Sequence, residues 1–374
     1  MQLARTARLH ATRRMFAAPF LLDATRANLK PTNTIVTHAD GHRTIERHNT
    51  VVGVEGDARP RPRPRPLPLD ERSIAKLPTW RLPPFDEAVL SARTSRPLRV
   101  CTWNVWFSPH RADERMAALF TIALQEAPDV ICLQEVVQEL ASSVRSSPAL
   151  CRVYNISSND VGSYGCLILA RRSLNSTFKE VVLPTRMGRS LLVADWIDEH
   201  SRKSIALGNC HFESLNNPDV RSQQLAIAGS VLKSYDHSLI CGDFNFDSKQ
   251  NFGDWRVRKP CKLAEDFGGQ ASCSRPLEND MLQTLLPEYV DTWPALHADD
   301  NDGITFDGAT NPYVTNSHER MRYDRILVRG MAPSRMVLLG RPAMTKDNEA
   351  AGGSSEIVPS DHYGLCVDVH ACVA

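Results

Sequence analysis

Six short clusters of acids, amides and histidines interrupt apolar runs along the chain. Asn104 closes Cys101-Thr-Trp-Asn104, and Gln134-Glu135 closes Val130-Ile-Cys-Leu-Gln-Glu135. His211, Glu213 and Ser214 end the run that starts at Ala206, and Asp243 and Asn245 end the run from Leu239. Asp324 sits in Arg322-Tyr-Asp-Arg-Ile326, and Ser360-Asp-His362 precedes a last apolar run. A carboxylate or amide at an apolar strand end is costly unless something pairs with it. One such residue is commonly a cap, and Asp243-Phe-Asn245 alone reads as a turn. Six in one chain call for a shared partner. A donor set of Asp, Glu and Asn oxygens favours a hard cation such as Mg²⁺ over zinc.

Strands and helices must carry these groups. Residues 98–106 and 130–136 read as buried strands. Between them Met116, Leu119, Phe120, Ala123 and Leu124 fall at helical spacing. Strand, helix and strand in this span form a βαβ unit, hence an α/β sheet. Further strands are predicted at 152–158, 165–171, 189–197, 204–212, 238–244, 323–329 and 363–369. A helix is predicted after Asp219, with Leu225, Ile227, Ala228, Val231 and Leu232 as its apolar stripe. So many strands with so few helices overfill one doubly wound sheet, and two packed sheets flanked by helices accommodate them.

Charge divides the chain in two. Residues 1–97 carry 17 Lys and Arg against 9 Asp and Glu, a net of +8, whereas residues 98–374 carry 27 against 34, a net of −7. An anionic substrate must therefore be drawn in locally rather than by a basic fold. Residues 1–97 read as a basic, Pro/Arg-rich, mostly disordered arm. Residues 1–22, with Arg5, Arg8, Arg13 and Arg14 and no acid, resemble a mitochondrial transit peptide. Arg59-Pro-Arg-Pro-Arg-Pro-Arg-Pro66 cannot be helical and reads as a polyproline II rod, a stiff linker or the ligand of an SH3-like groove. The ten cysteines include no CxxC pair, and several lie in apolar runs, which suits a reducing compartment. No apolar run approaches the roughly 18 residues a membrane span needs.

In order and spacing, Thr102-Trp-Asn104, Leu133-Gln-Glu135, Gly242-Asp-Phe-Asn245 and Ser360-Asp-His362 resemble the endonuclease/exonuclease/phosphatase superfamily. Any one of these is weak, but four in order, with His211-Phe-Glu-Ser214 between the second and third, are specific. Within the superfamily the chain is most similar to the 5′-tyrosyl-DNA phosphodiesterases. That likeness rests on Trp103-Asn104, His211–Ser214, Gly242–Asn245, Arg322–Ile326 and Ser360–Leu365, and covers residues 98–370.

The resemblance implies a catalytic domain over 98–374 with a four-layer α/β sandwich: two mixed β-sheets packed face to face, helices outside. It implies Mg²⁺-dependent hydrolysis, with Mn²⁺ able to substitute, of the bond joining a protein tyrosine to a DNA 5′ end. Motif by motif, Glu135 holds the metal with Asn104 beside it, and Asp361 contributes through water. Asp243 orients or deprotonates the attacking water. His211 and Asn245 bind non-bridging oxygens, with Ser214 in support. His362, kept charged by Asp324, completes the cradle. Arg189, Arg221 and Arg256 are candidate contacts to the DNA backbone.

A monomer is expected, in the nucleus or, from the transit-like leader, the mitochondrion. Two other readings stay open. Asn104-Val-Trp106 resembles the start of neutral sphingomyelinases, and an AP-type endonuclease or exonuclease shares the motifs. An inactive interaction scaffold is disfavoured because Glu135, Asp243 and His362 are all present.

Overall fold

Alternating apolar residues let each strand serve two cores at once, and this decides the architecture. The computed structural model describes residues 97–256, 276–298, 301–342 and 357–371, with the backbone of 28–37 and 43–52. In chain order, β1 (Asn28–Thr37) and β2 (Arg43–Val52) precede β3 (Leu98–Asn104) and α1 (Ala112–Gln125). Next come β4 (Val130–Val136), α2 (Gln138–Ser146), α3 (Pro148–Val153), β5 (Tyr154–Ile156), β6 (Gly165–Arg171), β7 (Thr177–Val182) and β8 (Ser190–Ile197). The chain continues through β9 (Ser204–His211), α4 (Pro218–Leu232), β10 (His237–Asp243), α5 (Met281–Leu285), β11 (Val290–Asp291) and α6 (Thr292–Leu296). It ends with β12 (Phe306–Asp307), β13 (Arg320–Met321), β14 (Asp324–Arg329), β15 (Met331–Leu339) and β16 (Gly364–Ala371).

Two mixed sheets result. One has the order β15-β16-β3-β4-β6-β5, the other β11-β14-β10-β9-β8-β7-β1-β2, and β12 pairs with β13 apart from both. The β3–β4 and β9–β10 pairs are parallel, as βαβ crossovers through α1 and α4 require. Three apolar clusters separate four layers. Cys101, Trp103, Ile131 and Leu133 pack against Met116, Leu119 and Phe120 of α1. Their strand neighbours Val100, Val130 and Cys132 turn the other way and meet Leu207, Leu239, Cys241 and Ile326 of the second sheet. Ala206, Cys210 and Ile240 then face Leu225, Ala228 and Leu232 of α4. The four-layer α/β sandwich is thus the fold.

One polar tie crosses the middle layer. Gln134 donates to Asn209 Oδ1 at 2.7 Å and to Thr102 Oγ1 at 3.0 Å, while Asn209 donates to Leu133 O and Leu167 O. It lies directly beneath the strand ends that bear Asn104, Glu135 and His211.

The basic arm departs from expectation. β1 and β2 pair antiparallel, and Ile35–Thr37 extend the larger sheet by pairing with Phe178–Glu180 of β7. Runs such as Thr-Ile-Val-Thr (residues 34–37) are β-branched and fit a strand better than a disordered tail. Residues 1–22 and the Arg-Pro segment 59–66 lie outside the described residues. Also unforeseen are α2, β7 and the edge strand β15, whose half-exposed residues leave no apolar run to read. Among the described residues no helix is long and apolar enough to cross a membrane. The seven described cysteines are all free, six of them buried.

Candidate active site

Strand register lines up five of the six polar clusters. His211, Asp243 and Asp324 are neighbours across β9, β10 and β14, and Asn104 lies beside Gln134 across β3 and β4. Three backbone features aim them. Glu135 follows a break in the β4–β6 register and holds φ at 58°, so the strand's alternation ends and its carboxylate swings out of the sheet. Asn245 holds φ at 55° just past β10. Left-handed backbone at non-glycine residues costs of order 1–3 kcal/mol and concentrates at functional sites. At Gly242, where φ is 128°, a Cβ would lie 2.0 Å from Cys210 O, so only glycine lets Asp243 approach β9 this closely.

Side chains then converge on Asp243. Its Oδ2 accepts from Asn104 Nδ2 at 3.0 Å and lies 3.5 Å from His211 Nε2 and 3.9 Å from His362 Nε2. Its Oδ1 accepts from the Asn245 amide at 2.9 Å, and Asn245 Nδ2 donates to Phe212 O. His362 Nδ1 is bonded to Asp324 Oδ2 at 2.7 Å. Glu135 Oε1 is 3.9 Å from His211 Nε2, and its Oε2 accepts from Phe107 N at 3.1 Å. Ser360 Oγ donates to Asn104 O at 2.6 Å and accepts from His362 N, so two motifs 256 residues apart are stitched together. Trp103 adds a second stitch by donating to His362 O at 2.9 Å. A Cβ on Gly364 would strike the Trp103 ring at 2.4 Å, so this packing also requires glycine. Trp103 therefore positions both Asn104 and His362. Asn104, placed beside Glu135 by the sequence, has Asp243 as its direct partner; Glu135 is tied to it through the turn at Trp106 and Phe107.

The two histidines carry different charge. Burial would lower the pKa of His362, but Asp324, as charge and hydrogen-bond acceptor, with Asp243 and Asp361 beyond, holds it well above the usual range. His211 goes the other way: burial first, then the Arg189 guanidinium, push it down to about 3. Arg189 Nη1 lies 3.0 Å from His211 Nδ1 and a guanidinium only donates, so Nδ1 must accept and Nε2 carries the hydrogen. That N–H points toward Asp243 and Glu135. The site thus presents one imidazolium and one neutral donor around a carboxylate.

A divalent cation fits beside Glu135. Burial, and then the charge of Asp361, lift the Glu135 carboxyl to about 7, and burial raises Asp361 too. Two carboxylates destabilised in this way and an amide oxygen form a hard-cation donor set. Asp243, Asp324 and His362 also place ligand atoms within 4.8 Å of one another. However, His362 Nδ1 is bound to Asp324, whose charge favours the imidazolium, a form with no lone pair for a metal.

Two of the three arginines expected to contact a DNA backbone are turned inward. Arg221 is fully buried, pairing with Glu278 at 2.5 and 2.7 Å and donating to Glu213 O and Leu215 O; it braces the start of α4 and cannot reach a substrate. Arg189 is buried against His211 and Ser214 Oγ, and acts through them. Arg322 and Arg325 are spent on Asp291. Arg256 is exposed, over Phe252 and Trp255, and remains available to a strand; residues 257–259 beside it lie outside the described residues. Sequence reasoning missed the work of Glu213, which anchors residues 185–186 through Thr185 Oγ1 and Arg186 N. It also missed Arg115 and Phe107, for which no motif gives a signal.

The Endonuclease/Exonuclease/phosphatase family matches residues 101–362, from the strand before Asn104 to His362, and the chain belongs to this family. The fold is also that of solved TDP2 structures. A humanized Danio rerio TDP2 is 21% identical, over 74% of this chain and 100% of its own, with a TM-score of 0.52. TDP2 from Caenorhabditis elegans is 22% identical, over 73% of this chain and 75% of its own, also at 0.52. D. rerio TDP2 complexed with a single-strand DNA product is 22% identical, over 73% and 98%, at 0.51. No curated protein matches the chain.

Proposed function

We propose that the protein is a Mg²⁺-dependent phosphodiesterase that hydrolyses 5′-phosphotyrosyl-DNA bonds and so frees DNA ends from trapped protein. The observation that carries this reading is the pair of histidines flanking Asp243, one backed by the Arg189 guanidinium and the other by the Asp324 carboxylate. Such a set is shaped for a phosphorus centre that gains negative charge as water attacks.

Asp243 orients the water, its carboxylate already fixed by Asn104 and by the Asn245 amide. The His362 imidazolium and the His211 Nε2–H donate to non-bridging oxygens, stabilising charge that grows in the transition state. Asn245 spends one amide hydrogen on Phe212 O and has a second for the same purpose. Glu135 and Asn104 would hold Mg²⁺ or Mn²⁺, with Asp361 in support, and the bound ion would supply Lewis-acid polarisation and charge neutralisation. A tyrosine phenol, with a pKa near 10, leaves more readily than an alkoxide and needs no dedicated acid. The TDP2 neighbour bound to a single-strand DNA product supports DNA as the nucleotide side. Exposed Arg186 and Arg256 suit backbone contacts that are sensitive to salt and indifferent to sequence.

One assay panel separates this from the other readings. Purified protein is offered a 5′-phosphotyrosyl oligonucleotide, a 3′-phosphotyrosyl oligonucleotide, an abasic duplex and sphingomyelin, each with and without EDTA. EDTA-sensitive tyrosine release from the 5′ substrate is expected. Turnover confined to the abasic duplex or to sphingomyelin would move the chain to another branch of the family.

A further inference from the structure

Arg115, in the first turn of α1, is fully buried, and all of its donors go to backbone carbonyls. Nε donates to His110 O at 2.8 Å, Nη1 to Val105 O and Pro359 O at 2.9 and 3.0 Å, and Nη2 to Trp106 O and Ser108 O at 3.2 and 2.6 Å. A guanidinium has five donors, and here they meet five carbonyls. The loop between Asn104 and α1 is thereby held rigid and joined to the segment before Ser360.

Within this loop Trp106 holds φ at 59°, an unusual state for a bulky residue, and the turn separates two aromatic rings. Trp106 packs on Tyr313 at 4.8 Å with the Arg115 guanidinium 4.6 Å from its ring. Phe107 instead stacks on Tyr164, centroids 4.9 Å apart and planes 13° apart, while its backbone N–H is fixed to Glu135. Tyr164 in turn lies 5.1 Å from the Arg189 guanidinium and 6.2 Å from the His211 ring. Phe107 is nevertheless 47% exposed, and the other exposed large hydrophobics among the described residues are aliphatic: Val182, Ile197, Leu215 and Val290. A ring held half in water by a fixed loop, between the carboxylate of the metal site and a phosphoryl-binding histidine, gains little for the fold. Its open surface suits a third ring.

We propose that Phe107 is a specificity-determining residue that stacks the aryl leaving group of a phosphodiester, so that the site favours phenolate over alkoxide departure. This rests on the reading of the site as a phosphodiesterase and deepens it. In the step concerned, a water oxygen forms a bond to phosphorus and the bond from phosphorus to the aryl oxygen breaks. The electron pair leaves on that oxygen, which takes a proton from solvent, while the attacking water's protons pass to Asp243 and solvent; nothing is oxidised or reduced.

The test compares kcat/KM for wild type, Phe107→Ala, Phe107→Leu and Phe107→Tyr on one oligonucleotide carrying either a 5′-phosphotyrosine or a 5′-phosphate trifluoroethyl ester. Leaving-group acidity cancels in each ratio to wild type, and a folding defect lowers both substrates alike. Ring stacking predicts an aryl-to-alkyl preference that drops about tenfold in the Ala and Leu variants and is kept in Tyr. A preference unmoved in Ala and Leu, or an equal fall on both substrates, overturns the assignment. Wild-type protein that turns over neither substrate would instead contradict the phosphodiesterase reading itself.

Discussion

At the scale of the residue, charge state is set by what each histidine faces. His362 is raised above its unfolded pKa by Asp324, so its imidazolium is fully present at lower pH and is lost as pH rises through the folded value. Asp324→Asn withdraws that support. The alkaline limb of kcat/KM against pH should then move to lower pH, with a loss of about 10²-fold above neutrality, the scale of removing one charge-stabilising donor. A slower enzyme with an unmoved limb would show that Asp324 merely packs. Such a pairing was legible in the sequence because Asp324 and His362 each belong to a motif. Arg189 was not read correctly, since an arginine after a Met-Gly turn looks like surface charge; only the fold shows its guanidinium turned inward onto His211.

At the scale of the element, the strands and the two longest helices could be read because their apolar residues repeat with period 2 or 3.6. Residues 130–136 and 165–171 have the predicted bounds. β7 and the edge strand β15 could not, because their burial is broken and half-exposed, and α2 is too short and polar to stand out. The same limit hid Arg221, an arginine on α4 whose spacing says nothing about Glu278, 57 residues away. Arg221→Met should leave Glu278 unpaired and cost about 3–5 kcal/mol in chemical denaturation, as for other broken buried pairs. DNA affinity of the folded fraction should be unchanged. Weaker binding at full stability would return Arg221 to the substrate groove.

At the scale of the whole molecule, the six polar clusters all lie from β3 onward, and β1 and β2 of the arm add two strands to the larger sheet. Removing residues 1–97 is expected to leave kcat within about twofold, because the described strand contact of the arm is to β7, which β8 separates from β9 and the other site strands. The exposed edge of β7 should exchange its amide hydrogens faster at Phe178–Glu180, where β1 now pairs. A collapse in kcat would place the arm in the active site. The central claim is that water attacks phosphorus under the control of Asp243 and expels a tyrosine from a DNA 5′ end. It is tested most directly by turnover of a 5′-phosphotyrosyl oligonucleotide in ¹⁸O-labelled water, with Asp243→Asn as the control. The expected products are free tyrosine without label and a DNA 5′-phosphate bearing one labelled oxygen, formed by wild type and lost in the variant. Release of phosphotyrosine with an unphosphorylated DNA end, or undiminished turnover by Asp243→Asn, would contradict the account.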